Sequence, residues 1–181
     1  MGWSIQDCFA GLWLPRPASR SQPLGFGGVP SRRDQIKMSD DELRAFLGER
    51  RVVTCATIGP NGRPHLMPLW YAAEGTTLRG WTYAKSQKAK NLERDPHATL
   101  QVEAGELYHE LRGVMMECDV EIVREPETVA SFGRSLFQRF GATGDDVDAM
   151  IAKQAPKRIG LTFTPTRIVS WDHRTLGEGV Y

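Results

Sequence analysis

The pattern of hydrophobic and polar positions divides the chain at Met38. Ahead of it, residues 1–37 hold Pro15, Pro17, Pro23 and Pro30 together with Gly2, Gly11, Gly25, Gly27 and Gly28. That density of breakers leaves neither a helical nor an alternating period. From Met38 the pattern becomes regular. Ser39 and Glu42 form an S-x-x-E capping box, Met38 and Leu43 a hydrophobic staple, and Leu43, Phe46 and Leu47 an apolar face at helical spacing. The expectation is a Pro/Gly-rich arm over 1–37, loose or upstream of a natural start at Met38, and one domain over 38–181.

Past this short helix the period shifts to that of strands. Val52 to Ile58 is β-branched and runs into Gly59-Pro60-Asn61-Gly62, a strong hairpin signal. The return strand is placed at 64–73, where Pro64 and Pro68 mark a sheet edge or bulge, since proline cannot donate to a central ladder. Further strands are predicted at 77–83, 97–103, 106–124, 158–163 and 166–172. Helices are predicted at about 86–94, 126–140 and 145–154, the last two separated by Gly141 and Gly144. Short hairpins with few helices read as an α+β, mainly β domain, a small closed or split barrel.

Composition narrows the function classes. The 23 basic and 22 acidic side chains give a net charge of +1, which argues against a surface built wholly for nucleic acid. No apolar run approaches the length needed to cross a bilayer. Ser31-Arg32-Arg33-Asp34 is followed by an acidic stretch and not an apolar one, so an export signal is rejected and a cytoplasmic protein expected. Cys8, Cys55 and Cys118 include no C-x-x-C pair, and read as small buried hydrophobes with no metal site. Arginine outnumbers lysine strongly, a bias common in high-GC genomes.

The near-zero total hides a local excess. From Arg79 to Arg94 there are five basic residues and one acidic one. Here a strand ends, Ser86 takes the cap position, and a helix begins. Outward-facing backbone N–H groups and the helix dipole then favour an anion, and Lys85, Ser86 and Lys88 suit a phosphate or several carboxylates. Composition alone leaves a solvated basic helix face equally open.

The run Lys85-Ser86-Gln87-Lys88-Ala89-Lys90-Asn91-Leu92-Glu93-Arg94-Asp95-Pro96 decides the direction. It lies between Met67-Pro68-Leu69-Trp70-Tyr71 on one side and Leu111-Arg112-Gly113-Val114 and Arg167-Ile168-Val169-Ser170-Trp171-Asp172 on the other. In that order, over about 38–173, the chain resembles the flavin-binding split-barrel family of pyridoxamine 5′-phosphate oxidases. It is most similar to the deazaflavin-dependent branch. The resemblance implies a homodimer with a flavin or deazaflavin at its interface and an organic small-molecule substrate. It implies Ser86 and Lys88 as phosphate ligands, with Lys85, Lys90 and Asn91 close behind. Met67, Pro68, Leu69 and Trp70 would back the ring system, and Trp81, Thr82 and Tyr83 would border it. Arg112 and Gly113 would reach the cofactor from the partner subunit, and Trp171 would close one side.

Two departures bear on which cofactor is bound. The B6 oxidases place arginine after the loop serine, where this chain has Gln87. Their terminal arginine/histidine/aspartate cluster is not reproduced by Trp171-Asp172-His173-Arg174. Coenzyme F-420, with its phosphate and oligoglutamate tail, would suit an extended basic groove of Lys85, Lys88, Lys90 and Arg94. The expectation is an F-420-dependent oxidoreductase, with an actinobacterial source implied. FMN is the alternative cofactor, and a non-catalytic flavin or haem carrier the alternative function. No Ser/His/Asp set, H-E-x-x-H or paired carboxylate is evident. His65, Tyr83, His109 and His173 are the possible proton donors.

Overall fold

The computed structural model describes residues 31–176. Cys8 and most of the segment assigned to the arm lie outside them. The elements in chain order are α1 (Arg32–Gln35), α2 (Asp40–Glu49), β1 (Val52–Ile58), β2 (Pro64–Trp70), β3 (Ala72–Glu74), β4 (Thr77–Tyr83), α3 (Gln87–Arg94) and β5 (His97–Ala104). They continue with β6 (Arg112–Val123), α4 (Pro126–Arg139), α5 (Asp145–Gln154) and β7 (Arg158–Asp172). The seven strands form one antiparallel sheet in the order β2-β1-β5-β6-β7-β4-β3.

The sheet curls until β2, at one edge, approaches β4 near the other. A Cβ on Gly80 of β4 would lie 2.9 Å from the Trp70 carbonyl oxygen. The curl encloses one core, in which Leu47, Val53, Tyr71, Leu78, Leu100, Met116, Leu161 and Phe163 are buried. A second, smaller core of Trp81, Val129, Leu136, Ile151 and Ala155 lies where α4 and α5 pack on the sheet. This is the mainly β split barrel expected. Pro64 and Pro68 do fall on the edge strand β2, where a missing N–H costs no ladder bond.

Four expectations change. The return strand breaks at Tyr71, whose ring is fully buried and whose hydroxyl donates to the Leu47 carbonyl at 2.9 Å. Residues 106–111 are not strand. Tyr108–Glu110 is a 3₁₀ turn, and β6 starts at Arg112. The two strands predicted at 158–163 and 166–172 are one, because the register shifts opposite Glu117 and Cys118, at Pro165. Thr166 is left without a partner in the ladder, and its hydroxyl donates to the Glu117 carbonyl at 3.1 Å. Finally, Ser31 and Asp34 form a capping box on α1, a signal legible in Ser31-Arg32-Arg33-Asp34 but obscured by the breakers upstream. This stretch is tied to the end of β7. Asp172 N–H donates to Ile36 O at 2.6 Å, and Thr175 Oγ1 to Gln35 O at 3.0 Å.

Candidate functional site

The split between β2 and β4 holds a cavity of about 590 Å³. Its position follows from the sheet. β3 pairs with Thr77–Arg79 alone, so among the described residues Gly80 to Tyr83 of β4 have no neighbouring strand on that side. The open edge and both faces of the strand then line the space. Strand alternation sends Trp81 and Tyr83 one way and Thr82 the other.

On the Thr82 side stands the N-terminus of α3. Ser86 caps it, accepting from Ala89 N–H at 3.2 Å, and lies 3.3 Å from the Thr82 hydroxyl. Lys88, in the first turn, is 4% exposed, yet no carboxylate among the described residues pairs with it. Burial holds its ammonium pKa below the ordinary lysine value. A cation in this state, beside a helix N-terminus and open to a cavity, is arranged to receive an anion.

Much of the remaining lining is apolar. Met67, Pro68, Leu69 and Trp70 of β2 face Phe137 of α4 and Met150 of α5, and among the described residues no Asp or Glu lines the space. His65 also lines it, with its Nδ1 buried and without a hydrogen-bond partner among the described residues. Trp81 reaches the cavity because Gly133 of α4 leaves room for its indole. Trp70 stacks at 4.1 Å, ring centre to ring centre, on Phe140 beyond the end of α4.

The predicted residues therefore separate. Met67, Pro68, Leu69, Trp70, Thr82, Tyr83, Ser86 and Lys88 are brought together around the cavity. Lys85 and Lys90 are exposed and do not line it. Asn91 is fully buried. It accepts from Gln87 Nε2 at 2.8 Å and donates to Thr57 Oγ1 at 3.0 Å, so its amide anchors α3 to β1. The continuous basic groove does not form. Lys90 is two positions from Lys88, about 200° around the helix, and Arg94 donates to the Ile58 carbonyl. Arg112, Gly113 and Trp171 do not line this chain's cavity. Arg112 binds both Glu49 carboxylate oxygens, at 2.7 and 2.9 Å. Gly113 seats Trp171, whose Cζ2 lies 2.3 Å from where a Cβ would stand. Gly113→Val is expected to destabilise the fold by about 1–3 kcal/mol, read as a lower urea midpoint. An unaltered midpoint would show that the indole moves aside freely.

Sequence reasoning named Trp81 as a border of the ring but missed Phe137, Met150, Gln154 and Arg158, which come from α4, α5 and the start of β7. Of the proposed proton donors, His65 and Tyr83 line the cavity, and His109 and His173 do not. Cys55 and Cys118 are buried, with their thiols pushed up by burial to about 11 and about 12. They are inert hydrophobes, as read from the sequence.

Residues 39–172 match the pyridoxamine 5′-phosphate oxidase family profile. The chain belongs to the pyridoxamine 5′-phosphate oxidase family. It is 33% identical over 143 residues to a pyridoxine/pyridoxamine 5′-phosphate oxidase of Methylibium petroleiphilum, a match covering 73% of this chain and 65% of that protein. A solved structure of a conserved hypothetical protein from Mycobacterium tuberculosis has a TM-score of 0.75 at 42% identity, covering 82% of this chain and 93% of the other. An F-420 reductase shares the fold, with a TM-score of 0.57 at 24% identity over 69% of this chain and 94% of that one. Among the described residues no helix is long and apolar enough to cross a membrane, and no cluster of His, Cys, Asp or Glu suits a metal. The pyridoxamine 5′-phosphate oxidase family is one of flavin-binding oxidoreductases, and the cavity in the split has the size and lining for such a cofactor.

Proposed function

We propose that this protein is an F-420-dependent oxidoreductase that passes hydride to a small or medium organic acceptor. The observation that carries the reading is Lys88, a nearly buried cation at a helix N-terminus, with no carboxylate partner and no acid lining its cavity among the described residues. The residues fit the group. Ser86, Lys88 and the N–H groups of the first turn of α3 would hold the phosphate, with Thr82 beside them. Met67 to Trp70 and the open edge of β4 would receive the flat ring system. Lys85, exposed at the start of α3, would meet the acidic tail. Gln87 in place of the arginine after the loop serine, with the altered terminal cluster, argues against a vitamin B6 oxidase.

When bound, the coenzyme supplies hydride transfer. The chain's own part is to orient the two reactants against β2 and to exclude water with Phe137 and Met150. His65 and Tyr83 stand where a proton could be handed over. A homodimer accompanies this reading. Its support is the apolar exposure of the β1–β2 edge, where Leu66 is 57% and Trp70 43% exposed. Arg112, Gly113 and Trp171 are proposed to face the partner's cofactor. A cytoplasmic location goes with the reading.

Tryptophan fluorescence during separate titrations with F-420 and FMN tests the proposal. Tighter binding of F-420, with oxidation of its reduced form by quinones or enones, is expected. Tight FMN binding with none for F-420 would replace the cofactor, and binding without turnover would make the protein a carrier.

A further inference from the structure

The cavity carries a second cation, on the opposite side of β4 from Lys88. Arg158 opens β7 directly across from Tyr83 in the antiparallel ladder, and Trp81 lies two residues along on the same face. Gly160, opposite Trp81, has no side chain to intervene. The guanidinium is held against both rings, 4.2 Å from the Tyr83 centroid and 4.5 Å from that of Trp81. That contact fixes the plane of the fork without using its donors.

The donors are poorly engaged. Nη2 reaches only Gln154 Oε1, at 3.4 Å, and the Tyr83 hydroxyl shares the same oxygen at 3.4 Å. Nε is buried and has no hydrogen-bond partner among the described residues. No carboxylate among the described residues forms an ion pair with Arg158, and none lines the cavity. Nε is closed off from the cavity, and the outer Nη groups are the donors left for a bidentate carboxylate, the group that matches the fork. Around it the wall is apolar and aromatic, formed by Trp81, Phe137 and Met150.

We infer that Arg158 is the receptor for a carboxylate on the organic acceptor, and that the substrate is a planar, apolar acid. Strand alternation separates this receptor from the phosphate site, because Thr82, Ser86 and Lys88 stand on the other side of β4. The assignment to the acceptor rests on the proposed cofactor occupying the Lys88 side. Gln154 is a positioning residue, holding Nη2 and the Tyr83 hydroxyl through one oxygen.

The test compares 2-naphthoate with uncharged 2-naphthamide by calorimetry on cofactor-free protein, and separately measures F-420 and FMN affinity. The wild type should prefer the acid by about ten-fold or more. Arg158→Met should abolish that preference and leave cofactor affinity within about two-fold, while Arg158→Lys keeps part of it. Lys88→Met should do the reverse, weakening the cofactor and sparing the preference. Equal binding of acid and amide by the wild type would overturn the inference. So would a preference lost in Lys88→Met and kept in Arg158→Met, or a cofactor affinity that falls about ten-fold or more in Arg158→Met. If the wild type binds neither F-420 nor FMN, the functional reading fails and, with it, the assignment of Arg158 to an acceptor, whereas a retained preference for the acid still identifies a carboxylate site.

Discussion

Lys88→Met is expected to bind the proposed cofactor about 5- to 150-fold more weakly than the wild type, the loss from removing one charged hydrogen bond of about 1–3 kcal/mol. The same variant, without ligand, is expected to unfold at a higher temperature. The two effects share a cause. Lys88 is 4% exposed and has no carboxylate partner among the described residues, so the folded protein carries the desolvation of its ammonium uncompensated. Methionine fills a similar volume without a charge. A gain of about 1 kcal/mol would raise the melting temperature by about 2–4 °C for a chain of this size. The pH dependence follows from the direction of the shift. Lysine here has a folded pKa below the ordinary 10.5. Between that lowered value and 10.5 the unfolded chain holds the proton more often than the folded one, so wild-type stability rises with pH across that window. The advantage of Lys88→Met is full below the folded pKa and disappears as pH climbs through it towards 10.5. Anion affinity of the wild type falls over the same range. A variant that melts lower at neutral pH would show that the ammonium is satisfied in the cavity, and unchanged cofactor affinity would remove Lys88 from the phosphate site.

Lys88 was legible in the sequence because its signals are local: a strand end, a capping serine and basic residues within one turn. The same holds for α2, whose capping box and staple sit within six residues, and for the β1–β2 hairpin at Asn61-Gly62. What was not legible depended on distant packing. Pro165 reads as a stop, but the register shift against β6 absorbs it and β7 runs on to Asp172. The α4–α5 wall arises from residues some 55 to 80 positions beyond β2, and nothing in the surroundings of Phe137 or Arg158 in the sequence distinguishes them from core and surface residues. The expected basic groove fails on helical phase, since Lys90 and Lys88 cannot share a face at a spacing of two. Asn91 shows the opposite case. Its place in the motif was clear, and only the buried bond to Thr57 shows that it acts on the helix.

Gly133→Val is expected to lower stability by about 1–3 kcal/mol and to close part of the cavity. A Cβ at this position would stand 2.6 Å from Trp81 Cζ3 and 2.7 Å from its Cη2, inside any real contact. In an exposed helix, replacing glycine would recover up to about 1 kcal/mol of propensity. Here that gain is outweighed, since either α4 must lift from the sheet or the indole must swing. Lifting α4 breaks the contacts of Val129 and Leu136, both buried in the second core. Swinging the indole disturbs its stacking with Arg158 and its edge-on contact with Phe137, whose ring centre lies 6.4 Å away. Both routes damage the apolar wall, so acceptor binding should weaken more than phosphate binding on α3. Trp81→Phe supplies the check. A smaller ring makes room for the added methyls, so the double variant should be less destabilised than the two single losses combined, with a coupling of about 0.5–3 kcal/mol. Strict additivity in urea unfolding would mean that the indole is not the obstacle, and that the close approach of α4 to β4 has another cause. A favourable coupling, with acceptor affinity partly regained, would tie the shape of the cavity to the missing side chain at one helical position.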